Sequence, residues 1–411
     1  QIRRLTLQTT FDDGYVPYLN GRKGPGANNP DDLVWDSQAT GVSAEPETAV
    51  VDVSDLSGAL VDGTNVLAFH GLNQTNTSSD FLVLPRLDGV RDLFSPGTTP
   101  AVLATPTPGA MNGSAFVMTT SKARFSHERG FYDAPFVLTL SSDTPGATIR
   151  YRTDFYEPTV SGGILHTGPI WITKTTCVRA IAYTNGYLPS ECITRTFIFP
   201  AQVVTQSATQ TAAGFPGTWV QAGGSSVSAD YGMDQRICGP SDICGGVYRA
   251  SITNDLRSIP SISIVTTISN LFDRYAGIYS NPNGIGDNWE RPCSFEYIND
   301  PRDPDGMQIN CGLRIHGEAN RSINNRKHSF RFLFKSQYGD SKLRYPLFAG
   351  DPVEEYNTIV LRCMYGDSCV GNRDGTYLRE QWAHDTQRAF GHPVGLHGRL
   401  VHLYVNGLYW G

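Results

Sequence analysis

Residues Cys311–Phe348, CGLRIHGEANRSINNRKHSFRFLFKSQYGDSKLRYPLF, decide how the rest of the chain is read. Leu313 and Ile315 alternate with Arg314 and His316, the period-two pattern of a half-buried strand, which Gly317 interrupts. A polar loop rich in Asn and Arg follows, and Lys327 then opens a second strand with Phe330, Phe332 and Phe334 on one face. Two strands around a glycine-led basic loop suit a lid over phosphate, because a polyanion needs free backbone N–H groups and cationic side chains. The same pattern also describes an ordinary hairpin with a solvated loop.

Working outward, RIHGEANR, KHSFRFLF, YGDSKLRYPLF, YLREQW and LVHLYVNGLYWG follow one another between Arg314 and Gly411. In that order, the region from Ile259 to Gly411 resembles the CotH kinase family, in its large secreted bacterial form. The resemblance implies an atypical protein kinase fold that phosphorylates serine on surface proteins with ATP and Mg²⁺. It also implies that the metal-binding and catalytic carboxylates follow the YVNGLYWG strand, beyond Gly411. The chain therefore reads as a fragment of a larger protein, with strands and one helix of an α+β, kinase-like N-terminal lobe at 259–411.

Phosphoryl transfer requires a cation on the phosphates, a carboxylate to orient it, and acidic metal ligands. Lys327 is the leading phosphate-facing cation because it follows the Gly317 loop, with Arg314 and Arg321 next and Lys335 as the rival on the same strand. DGTYLREQWAHDTQRAFG (Asp374–Gly391) is the clearest helix, with Gly391 as its terminator. Leu378, Trp382, Thr386 and Ala389 form one stripe at the helical period. Asp385 falls beside that stripe, so it is expected to face the sheet as the orienting carboxylate, whereas Glu380 faces solvent. The alternative for Asp385 is a plain ion pair with Arg388 one turn on. Glu290, Asp340 and Asp367 are loop acids with no evident reason to converge.

At 411 residues the chain is long enough for about three domains. Its 42 Gly and 25 Pro, with 18% charged residues, describe a turn-rich, mostly β, multidomain protein. A net charge of −6 provides no argument for nucleic acid, and no run of 18 apolar residues exists to span a membrane. Eight cysteines fall as sequence neighbours: Cys177 and Cys192, Cys238 and Cys244, Cys293 and Cys311, Cys363 and Cys369. Even, local pairing suits disulfides of an oxidising compartment, so the chain is expected to be secreted or displayed at a cell surface.

Residues 1–93 read as short strands with Asp-Gly and Asn-Gly turns, a β-sandwich resembling the galactose-binding-like jelly roll. Asp12 and Asp13 could help to hold structural Ca²⁺ or could simply form a solvated turn. Trp35 could stack on a sugar, although a lone Trp in a β domain is more often core. Residues 94–122 are a Pro/Gly/Thr-rich linker. Residues 123–200 read as an Ig-like β-sandwich, similar to the small C-terminal module of chitobiases and β-hexosaminidases. Residues 201–258 form a connector expected to wrap a neighbouring domain. Two functions compete on these grounds: a kinase-like phosphotransferase with accessory β domains, and a structural or adhesive surface protein capable of self-assembly. Glycan attachment through the first domains is compatible with either.

Overall fold

The computed structural model describes residues 2–42, 46–78, 81–91, 102–103, 115–116, 118–209, 214–239, 245–348, 350–351, 353–368, 375–392 and 395–411. The chain is mostly β and divides into two compact units, residues 1–100 and 101–411. The linker expected at 94–122 lies largely outside the described residues.

In the first unit, two three-stranded sheets share one core. One is ordered Glu47–Asp52, Ile2–Phe11, Val83–Arg91 and the other Arg22–Lys23, Gly14–Leu19, Leu67–Leu72. Leu5, Leu7 and Phe11 from the first meet Tyr15 and Leu19 from the second. Asn20 and Gly21 both take positive φ, 47° and 83°, the two-residue hairpin that the LNG stretch predicts. The Asp13 carboxylate accepts the Gln74 N–H at 2.9 Å, which closes a loop. Among the described residues no group of three or more His, Cys, Asp or Glu side chains converges to hold a metal, so Asp12 and Asp13 have no such ligand set around them. Trp35 is 90% exposed, contrary to its expectation as core.

The second unit contains a small sandwich and a larger mixed sheet. The sandwich is a five-stranded sheet ordered Gly130–Phe131, Ile193–Ile198, Thr176–Tyr183, Thr148–Arg152, Ile164–Leu165, completed by two short strand pairs. Leu138, Ile149, Ile172, Val178, Ala180 and Phe197 fill its core. The Pro-Gly turn is present, with the Ala147 N–H donating to the Thr144 carbonyl and Gly146 at φ 72°.

The expected Cys177–Cys192 disulfide is not made. Cys177 sits opposite Thr196 in the ladder, four residues from Cys192. At about 3.3 Å per strand residue, that offset far exceeds the span a disulfide can bridge. Cys293 and Cys311 do face each other, but as thiols, with Sγ atoms 3.5 Å apart. Cys238 and Cys363 are also thiols, and their expected partners Cys244 and Cys369 lie outside the described residues.

The larger sheet has seven strands: β1 (Ser261–Val265), β2 (Arg291–Ile298), β3 (Met307–His316), β4 (Ser329–Leu333), β5 (Thr358–Leu361), β6 (His402–Val405) and β7 (Leu408–Tyr409). Their order is β5-β4-β3-β2-β1-β6-β7, antiparallel except for the parallel β1–β6 pair. One face is apolar: Ile264, Phe295, Leu313, Phe330 and Phe332 pack with Phe215, Trp219 and Tyr231 from the connector. Phe295 and Phe332 meet edge to face at 4.8 Å, a preferred aromatic geometry.

The opposite face is polar, and the sandwich covers its β1–β2 part. Glu296 is wholly buried there. Its carboxylate accepts Arg129 Nε at 3.0 Å, the Thr196 N–H at 3.1 Å and the Thr196 hydroxyl. Burial raises the Glu296 pKa, and Arg129 and Thr196 oppose that rise.

Helix α1 runs Arg379–Ala389, and the Asp367 carboxylate accepts the N–H groups of Thr376 and Arg379 ahead of it, at 3.0 and 2.9 Å. The apolar stripe expected to bury this helix is exposed instead, with Trp382 at 70%. Periodicity identifies an apolar side but does not establish that anything covers it. Among the described residues no helix is long and apolar enough to cross a membrane.

Candidate phosphate-binding site

The polar face of the sheet stays open over β3, β4 and β5, and its register sets the charges that it presents. Arg314 stands directly across from Arg331, which in turn faces Val360. Like charges opposed across a ladder, with Cβ atoms about 5 Å apart, destabilise the pair unless an anion comes between them. Arg331 is exposed and makes no ion pair among the described residues. His316 lies on the same face, its pKa lowered first by burial and then by the guanidiniums of Arg331, Arg321 and Arg362. The face is therefore electropositive, although the whole chain is acidic.

Beside this row is a buried carboxylate. Glu290, whose side chain is only 2% exposed, precedes β2 and crosses over β3 at Gly312. A Cβ on Gly312 would lie 2.6 Å from Glu290 Oε1 and 2.7 Å from its Cγ, so the approach requires glycine. Glu290 Oε2 accepts Arg314 Nε at 2.8 Å and Nη2 at 2.5 Å, together with Lys335 Nζ at 2.9 Å. Tyr338 donates its hydroxyl to Oε1 at 2.9 Å. Exposed Asp287 pairs with Arg314 and, at 3.3 Å, with Lys335 from the solvent side.

Burial acts to raise the Glu290 pKa, but hydrogen bonds from Lys335, Tyr338 and Arg314 hold it below the usual value. The hydrogen bond to Glu290 raises the Lys335 pKa, so this ammonium remains charged at any physiological pH. Lys335 keeps about a third of its side chain exposed, and with two of its three donors spent on Glu290 and Asp287 it leaves one for a ligand.

Of the cations named from sequence, Arg314 and Lys335 come together. Arg321 acts as a loop staple, donating to the carbonyls of Ile315 (2.6 Å), Pro282 (2.8 Å), Gly284 (2.9 Å) and Gly317. Gly317 sits at φ 98°, in the left-handed region that suits glycine. Lys327 is exposed just before β4, at the strand end away from Lys335, where a Cβ on Gly411 would lie 2.2 Å from its Nζ. Asp385 does not join Glu290; it pairs with Arg388 and accepts the Gln381 amide at 2.7 Å. Glu380, expected in solvent, pairs with Arg362.

Glu290 and Arg331 are the residues that sequence reasoning missed. Arg331 was readable as the outward position between Phe330 and Phe332. Glu290 carried no comparable signal, because its role depends on Gly312 lacking a side chain.

Residues 313–411 match the family described as CotH kinase protein, and residues 138–197 match the family described as Fn3 associated. The chain carries a CotH-like segment. Arg314, Arg331, Lys335 and Tyr338 fall inside that segment, whereas Asp287 and Glu290 are supplied from outside it. No curated protein and no solved structure matches the chain.

CotH kinases use ATP and a metal in general. The phosphate half of that requirement fits the open cationic face. The metal half does not fit the described residues, since Asp287 and Glu290 are engaged with Arg314 and Lys335 and no other acidic group converges.

Proposed function

We propose that the open face of the seven-stranded sheet binds the phosphates of ATP, as the phosphate-holding part of a secreted, CotH-like protein kinase that modifies serine on a surface protein. The observation that carries this reading is the Lys335–Glu290–Arg314 cluster beside Arg331, which makes no ion pair among the described residues, within and next to the CotH-like segment. A lysine held charged and oriented by a carboxylate is the device that phosphoryl transfer uses on a nucleotide's phosphates. Here Glu290 fixes Lys335 and Arg314, while Arg331 supplies charge that makes no ion pair among the described residues. Hydrogen bonds from charged donors are each worth roughly 1.5–3 kcal/mol, so three of them sum to about 4.5–9 kcal/mol, a millimolar to micromolar range before the cost of association. Titration of ATP into the chain by calorimetry tests the reading. Saturable binding that falls at least tenfold in Lys335→Met and in Arg331→Gln supports it, and binding that both variants retain overturns it.

A second role is favoured by one observation. Trp35 in the first unit stands exposed between Asp32 and Asp36, as a sugar-stacking side chain would. Glycan-array binding that Trp35→Ala abolishes would place carbohydrate attachment there, and an empty array would remove the idea.

A further inference from the structure

Asp300 follows β2 at the end opposite Glu290, separated from it by the eight strand residues, about 26 Å. A cavity of about 380 Å³ opens there, walled by Arg302, Arg388, Arg399, His397, Gln381 and Phe348. This volume falls within the range of small-molecule sites. Asp300 is 1% exposed and accepts Arg302 Nε at 3.1 Å, Arg302 Nη2 at 2.7 Å and Arg399 Nη1 at 2.8 Å. Burial acts to raise the Asp300 pKa, but the hydrogen bonds from Arg302 and the charge of Arg399 bring it down to about 2, so one full negative charge faces two guanidiniums. Arg388 is balanced separately by Asp385.

The lining carries three arginines against two aspartates, with Asp351 3.8 Å from His397 behind it, and the positive charge left with an open donor is that of Arg388, whose buried Nη1 has no hydrogen-bond partner among the described residues. The walls add direction to these charges. Arg399 stacks over the Tyr297 ring at 5.8 Å, which fixes its guanidinium plane. Phe348 offers an aromatic wall, with the His397 ring 6.1 Å away and tilted by 42°. Gln381 contributes an amide from α1. Guanidiniums beside an aromatic wall recognise a planar anionic head group joined to an apolar body.

We propose that this cavity binds a small organic anion, a carboxylate or a phosphate monoester carried on an apolar or planar body. It lies away from the sheet face assigned to nucleotide phosphates and does not depend on that assignment.

The test is calorimetric titration of the whole chain with two probes, phenyl phosphate and benzoate, at fixed ionic strength. The expected result is saturable binding of at least one probe in the Lys335→Met background, where phosphate binding at the sheet face is weakened, and a further loss of at least tenfold when Arg388→Gln is added. Preference for phenyl phosphate assigns a phosphate monoester, and preference for benzoate assigns a carboxylate. Arg388 sits on the surface helix, and Gln381→Leu provides a second variant on the same wall if Arg388→Gln folds poorly. The proposal is overturned if neither probe saturates in the Lys335→Met background, or if both wall variants bind as the Lys335→Met chain does.

Discussion

Replacing Glu290 with Gln keeps the shape of the side chain and removes its charge. In the wild type one buried oxygen accepts two N–H groups of Arg314 and one of Lys335, and the other accepts the Tyr338 hydroxyl. Gln leaves a single carbonyl for these donors and points an NH₂ group at one set of them. Removing one partner from a buried ion pair costs about 3–5 kcal/mol. That range is reduced here, because Lys335 is about a third exposed and Asp287 remains within reach of both cations. The loss expected at pH 7 is about 2 kcal/mol. Its pH dependence identifies the cause. The folded pKa of Glu290 is depressed, so its stabilisation is complete above the unfolded value of about 4.3 and fades as pH falls through the folded one. Amide hydrogen exchange of β2 and β3, compared between wild type and Glu290→Gln, reads the local opening energy. The difference should be near 2 kcal/mol at pH 7 and shrink toward zero below about pH 4. An equal difference at both pH values, or none at pH 7, would refute the ion-triad account.

Three further outcomes are expected. Burial, reinforced by Arg321, takes the His328 pKa down to about 4 against the pull of its 2.6 Å contact with the Asn320 carbonyl. The unfolded chain therefore takes up this proton first, and roughly 3 kcal/mol of stability present above about pH 6.5 is lost on descent toward pH 4; a histidine NMR titration should show this ring titrating near the lower value. Gly407→Ala places a side chain at φ 78° in the Asn406-Gly407 turn that joins β6 to β7 and should cost about 1–2 kcal/mol in urea unfolding, whereas a smaller loss would mean that the turn relaxes. Thiol alkylation and peptide mapping of the unfolded, non-reduced chain should find Cys177 and Cys192 unbridged to each other, because their register separates them.

The alternation of Leu313 and Ile315 with Arg314, and of Phe330, Phe332 and Phe334 with Arg331, correctly separates the buried from the open face of the sheet. The Asn-Gly and Pro-Gly turns are equally legible, since each rests on local φ requirements. What was not legible depends on neighbours distant in sequence. Glu290 meets Lys335 across 45 residues, and only at a strand position where glycine lets it pass. The spacing of Cys177 and Cys192 resembles that of a bonded pair, but spacing carries no ladder register. The helix from Arg379 has its apolar stripe where periodicity places it, yet Trp382 is uncovered and Asp385 turns to Arg388.

The most direct test of the proposed phosphate site is labelling with an acyl-phosphate derivative of ATP, which acylates lysines lying beside bound phosphates, followed by peptide mapping with and without competing ATP. The account predicts an ATP-protected label on Lys335, with Lys327 unprotected. Protection of Lys327 alone, or labelling that ATP does not suppress, would contradict it.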